Sequence, residues 1–229
     1  MNKKHLPLIL LILVLFGTGA GCQANKPLPM QEVFARIVVG RSDASEVLNL
    51  LGEKGLLHTA ESVSVINQHG WSRELGIVQF NAEDSLVRRK DYVQVRSGML
   101  VPMLSQERIY LQVQTMVPQE VLDEPYENDT QKHIAILEHC HKALVSDAKP
   151  FEQDQKTMSI VGLARSALRE AILQLTDRPR EADKLLTDQG FDFTHTVMGK
   201  SYVRLVQEQE NLFTLHLAGS DTVDMFNTW

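Results

Sequence analysis

Cysteine is almost missing from this 229-residue chain, which holds only Cys22 and Cys140. With Cys22 expected to be modified, the single remaining thiol of Cys140 cannot form an internal disulfide, so packing must hold the fold together. Long apolar runs are also scarce. The only one lies near the start, Leu6 to Phe16, and it is about half the ~20 residues that a membrane-crossing helix needs. Basic residues are outnumbered too, 23 Lys and Arg against 29 Asp and Glu, for a formal net charge of −6, and the one short cluster is Arg88-Arg89-Lys90. Without a broader basic footprint, nucleic-acid binding is excluded as an expectation. No Gly-x-Ser-x-Gly, Ser-x-x-Lys or His-Glu-x-x-His motif occurs, and Gly40, Gly52 and Gly55 are spaced too widely for a phosphate loop. The chain is therefore expected not to be an enzyme, and no cofactor is expected.

The most informative stretch is the beginning. Lys3 and Lys4 form a basic head, Leu6 to Phe16 an apolar core of secretory length, and Gly17-Thr-Gly-Ala-Gly21 a small-residue exit before Cys22. That order describes a cleaved export signal rather than a membrane span. Gly19-Ala20-Gly21-Cys22 resembles the lipobox of bacterial lipoproteins, although that family usually has Leu where Gly19 stands. The resemblance implies lipidation at Cys22, a signal peptide of residues 1–21 and a membrane partner reached through the lipid. Gln23, in place of the Asp that resembles an inner-membrane retention signal, favours the outer membrane facing the periplasm. Ordinary cleavage after Ala24, giving a soluble secreted product, is the rival. Several acyl chains together anchor a protein stably where one does not. Removal of residues 1–21 takes two lysines and no acids, leaving a net charge of −8.

After a polar tether at 22–30, helical spacing runs through Val33, Phe34, Ile37 and Val38, and Gly40 ends that helix. Ser42 reads as the N-cap of a second helix with Val47, Leu48, Leu50 and Leu51 on its apolar face, stopped by Gly52 or Gly55. Period-two runs at 62–67, 75–80, 86–95 and 108–117 predict an antiparallel meander with one wet face. Residues 118–130 carry two prolines and five acids with no base, and read as an acidic linker between modules 31–117 and 131–229. The second module is expected to hold helices at 131–146, 158–175 and 181–188, then strands at 191–197, 201–207 and 212–217. The expected fold is α+β, a helical hairpin packed on a small antiparallel sheet. A second such module in tandem is suggested by Glu181–Gly190, which lines up with Glu46–Gly55.

Ile37-Val-Val-Gly-Arg-Ser-Asp-Ala-Ser-Glu-Val-Leu-Asn-Leu-Leu-Gly52 resembles the signature of the BamE (SmpA/OmlA) family of small outer-membrane lipoproteins. The matching positions are Ile37, Gly40, Ser42, Val47, Leu51 and Gly52. Ile77 to Val87 resembles the family's strand–turn–strand, so the likeness covers about 33–88. Arg41 and Glu53-Lys54 depart from the pattern. The resemblance implies two helices on a three-stranded sheet and a partner in outer-membrane protein assembly.

Other chemistry is thin. His133 and the run Glu138-His139-Cys140-His141 form the one metal candidate, but adjacent helical residues point roughly 100° apart and cannot close on one ion. Cys140 reads as a buried small hydrophobe. Asp192, His195 and Ser201 are close in sequence without a nucleophile elbow, and the Arg88-Arg89-Lys90 run reads as a solvated hairpin end. Phe226 and Trp229 read as packing on the domain. Together these readings describe an envelope-anchored binding or scaffolding protein with envelope protein partners. An exported hydrolase or small-ligand-binding protein, with a site drawn from residues such as His195 and Asp192, is the alternative.

Overall fold

The computed structural model describes residues 30–52, 56–70, 72–101, 104–182, 190–196 and 198–219. Two short helices open the fold, α1 (Met30–Arg36) and α2 (Ala44–Leu51). Strands β1 (Leu56–His58), β2 (Ser62–His69), β3 (Ser72–Phe80), β4 (Val87–Val101) and β5 (Leu104–Met116) follow as a meander. Next come α3 (Gln119–Leu122), α4 (Asp129–Ala148), a 3-10 turn (Lys149–Phe151), α5 (Gln155–Asp177) and α6 (Pro179–Ala182). The strands β6 (Phe191–His195), β7 (Gly199–Gln207) and β8 (Leu212–Gly219) complete it.

The eight strands form one antiparallel sheet in the order β1-β2-β3-β4-β5-β8-β7-β6. This corrects the expectation of a small sheet repeated in tandem modules. The physical reason is that β8 does not close a second sheet. It pairs with β5, from Tyr110↔Ala218 to Met116↔Leu212, and fuses the two meanders. Residues 118–130 are likewise built into the fold. They contain α3, whose Leu122 is buried, and Asn128, which N-caps α4 by accepting from Gln131 N at 3.0 Å.

Strand alternation divides the sheet between two layers of helix. On one face, Leu75, Val93, Val95, Ile109, Leu111, Leu215 and Leu217 lie beneath α4 and α5 in one continuous cluster. α5 brings Ile160, Ala164, Leu168, Ile172 and Leu175 to that face at helical spacing, and Ala164, Ala167 and Ala171 are fully buried. On the other face, Val63, Val78, Tyr92 and Tyr110 form a second cluster with Phe34 of α1 and Val47 of α2. The amide of Gln174 on α5 covers the outer edge of β6. It donates to Thr194 O at 2.6 Å and accepts from Thr194 N at 3.1 Å. Covering an edge in this way blocks unwanted strand pairing.

The helical hairpin turns at Gly40, whose φ of +76° is costly for a β-branched residue. The N-cap of α2 is Asp43 rather than Ser42, because Asp43 Oδ1 accepts from Glu46 N at 2.8 Å. Ser42 is buried, and its hydroxyl accepts from Val38 N at 3.0 Å, bracing the turn from inside. Phe34 seats α1 on the sheet directly over Gly76, where a Cβ would fall inside the Phe34 ring. We expect Gly76→Ala to destabilise the fold by about 1–3 kcal/mol through overpacking. The same change in a Phe34→Ala background should cost much less. Denaturant titration of the four proteins checks this, and additive effects would show that Phe34 and Gly76 do not share a site.

Candidate functional site

The first residues of β4 carry three charged side chains drawn into the fold, Arg89 and Asp91 buried and Lys90 half-buried. Phe80 pairs with Val87 and Gln79 with Arg89, so Arg88 is the extra residue of a β-bulge. The bulge splits a run that looked like one basic cluster. Lys90 turns to the hairpin face, where its ammonium donates to Phe34 O at 2.9 Å and Ile37 O at 2.6 Å and closes the end of α1. Burial pulls its pKa down to about 8. Arg88 and Arg89 serve the opposite layer, so the solvated hairpin end expected for 88–90 is corrected.

Arg88 donates to Gln79 Oε1 and lines a groove of about 1060 Å³. One wall is Leu57–Ser62, from β1 and the turn into β2; the other is Ser146 with Lys149–Asp154, the corner between α4 and α5. Asp154 is tied into that corner as the N-cap of α5, accepting from Thr157 N at 2.8 Å and Thr157 Oγ1 at 2.5 Å. Those bonds hold its carboxyl below the usual range. The groove thus offers hydroxyls, amides, two cations, the carboxylates of Glu61, Glu152 and Asp154, and the apolar surface of Leu57, Pro150 and Phe151, the mixture that small-ligand and peptide sites use.

Behind the groove sits a buried ionic cluster. Arg89 Nε lies 2.9 Å from Asp91 Oδ1 and 2.7 Å from Asp147 Oδ2, and the three side chains are 4%, 1% and 3% exposed. The N–H itself points at Asp91 Oδ2, 3.1 Å away. Among the described residues Asp147 Oδ2 makes no hydrogen bond, so its contact with Arg89 is ionic rather than directed. Arg89 Nη2 donates to the Cys140 carbonyl of α4 at 3.1 Å, while Nη1 has no hydrogen-bond partner among the described residues. Burial opposes the guanidinium charge, and Asp91 and Asp147 more than restore it. Burial raises Asp91, with Arg89 opposing that shift, and pushes Asp147 up to about 7.

Other residues singled out from the sequence are dispersed. Cys22 lies outside the described residues, as do 183–189 of the expected 181–188 helix and the aromatic pair Phe226 and Trp229. His133 is buried and its Nδ1–H donates to Ala182 O at 2.9 Å, whereas His139 and His141 are half-buried. Among the described residues no three His, Cys, Asp or Glu side chains converge as metal ligands. Cys140 is buried and its thiol is pushed up to about 11 by burial; its carbonyl is the group that Arg89 uses. Asp192 is exposed while His195 is buried, because residues three apart in a strand face opposite ways. They do not form one site.

Arg89, Asp91 and Asp147 were not identified from the sequence. The available signal was phase: Arg89 and Asp91 are in step with core residues Val93 and Val95, and Asp147 follows Cys140 and Leu144 along the buried stripe of α4. Charges at core positions mark a buried pair rather than a solvated run. We expect Arg89→Leu to cost about 3–5 kcal/mol, because two carboxyls are left buried without their counter-ion. Adding Asp91→Leu and Asp147→Leu should recover most of that loss in chemical denaturation. A triple variant no more stable than Arg89→Leu would refute this account of the cluster. No protein-family model, curated protein or solved structure matches this chain.

Proposed function

We propose that this chain is an envelope lipoprotein, tethered through acylated Cys22 and working by binding or scaffolding rather than by catalysis. The observation that carries the reading is the leader: a basic head, a secretory-length apolar core, a small-residue exit and then Cys22. The tether expected at residues 22–30 would run into helix α1, which begins at Met30. No helix among the described residues is long and apolar enough to cross a membrane. Attachment through lipid is consistent with that, since grouped acyl chains hold a protein at a bilayer without a spanning segment.

The groove beside Arg88 is the contact surface we assign to this role. It is open, chemically mixed and walled by two separate parts of the chain. The resemblance of 37–52 and 77–87 to the BamE family supports the finer proposal that the partner belongs to outer-membrane protein assembly. The hydrolase alternative called on His195 and Asp192, which face opposite ways, and it is not carried further.

Labelling with radioactive palmitate, together with mass spectrometry of the mature N-terminus, tests the anchor. The expected result is a label on an N-terminal Cys22, with the protein in the outer-membrane fraction. Cys22→Ser should lose both the label and the membrane association. An unlabelled mature chain beginning at residue 25 would overturn the proposal.

A further inference from the structure

We propose that Asp91 and Asp147 form a proton-operated latch on the last turn of α4. While the two carboxyls hold one proton between them, the turn is fastened to β4; when both ionise, it loosens.

The geometry sets up the conflict. Two carboxyls crowd one guanidinium nitrogen, at 2.9 and 2.7 Å, and its single N–H can be directed at only one of them. Asp91 takes that bond, so Asp147 is held by charge alone. Inside the buried site one cation, Arg89, meets two anions; Arg88 also acts on Asp147 but is exposed at the groove and screened by solvent, so negative charge is left under-compensated where burial makes it costly. Asp147 also stands in the final turn of α4, where the helix dipole already places partial negative charge. A shared proton removes both penalties and supplies a donor for the second carboxyl.

The groups facing the pair are few. From β4 come Arg88 and Arg89. From α4 come Cys140 and His139, both of which feel Arg89. Among the described residues, no charged group of β3, the 3-10 turn or α5 acts on Asp147. The Cys140 thiol, pushed up to about 11, stays protonated throughout. His139 is pushed down by burial, then by Arg89 and Lys142, so it is neutral when the pair ionises. Burial first, and then the charge of Asp91, raise Asp147 from 3.8 to about 7. For a carboxyl raised on folding, the stabilisation is complete below its unfolded value and is lost as pH climbs through the folded value. The latch is therefore closed in mildly acidic conditions and opens as pH passes about 7.

The last turn of α4 is also a wall of the groove, through Ser146 and the following Lys149. Loosening it changes the proposed contact surface, so the latch couples proton concentration to the shape of that surface. The latch itself does not depend on the anchor at Cys22.

Amide hydrogen exchange of the full chain, corrected for the intrinsic pH effect, tests the latch. Exchange across 146–151 should rise at least about tenfold between about pH 6 and about pH 8.5, the scale set by one linked proton over one unit. Amides of Val93, Val95, Ile109 and Leu111 should not change with it. Asp147→Asn, which imitates the protonated carboxyl, should abolish the rise, and His139→Gln should leave it intact. If Asp147→Asn does not fold, Asp91→Asn serves in its place, since a single carboxyl beside Arg89 has no need of a shared proton. A flat profile in the unaltered protein would overturn the latch. So would a rise that persists in either asparagine variant or disappears in His139→Gln.

Discussion

The pairing of β5 with β8 is the constraint on which the rest of the molecule depends. It runs from Tyr110↔Ala218 to Met116↔Leu212 and joins strands about one hundred residues apart. Without it there would be two meanders, each with an exposed central edge. With it there is one sheet, broad enough for α4 and α5 to lie across both halves. The buried cluster on that face accordingly takes Leu75 and Val93 from the first half and Val203 and Leu215 from the second. The helices are inserted between the two meanders in sequence, yet they cover the seam in space. Closing so long a loop is entropically expensive, and the continuous apolar layer is what offsets it.

Within that frame a single bulge distributes three consecutive basic residues among three tasks. Lys90 holds α1 against the sheet, Arg89 joins β4 to α4 inside the core, and Arg88 faces the groove. Without the extra residue, Arg88 and Lys90 would share a face, and the groove would lose its cation from β4. The groove and the buried cluster are thus consequences of one local irregularity. They also share the end of α4, since Ser146 lines the groove while Asp147 turns inward to Arg89.

The positions of most elements were legible because periodicity is local. Alternation around Val63 and Val65, Ile109 and Val113, or Val203 and Leu205 marks strands, and the stripe from Val161 to Leu175 marks α5. Neighbour choice was not legible. The alternation of 212–217 says which residues share a face, but nothing in it says that Leu215 lies beside Val113 rather than in a separate sheet. The expectation of tandem modules failed for that reason. The ionic cluster was missed for a related one. Arg89 reads as solvated when taken with its sequence neighbours, and as buried only once its phase with Val93 and its meeting with Asp147, 58 residues on, are known. Asp43 displaced Ser42 as the cap because Ser42 is drawn into the turn by Val38.

A single sheet across the β5–β8 seam should open as one cooperative unit. Native-state hydrogen exchange against denaturant, followed at Val78 and Val93 on one side and at Val203 and Leu205 on the other, measures this directly. The account predicts that all four amides converge on the same opening free energy and the same denaturant dependence. If β6 to β8 open at lower free energy while β3 and β4 stay protected, the two halves are independent units and the account is wrong.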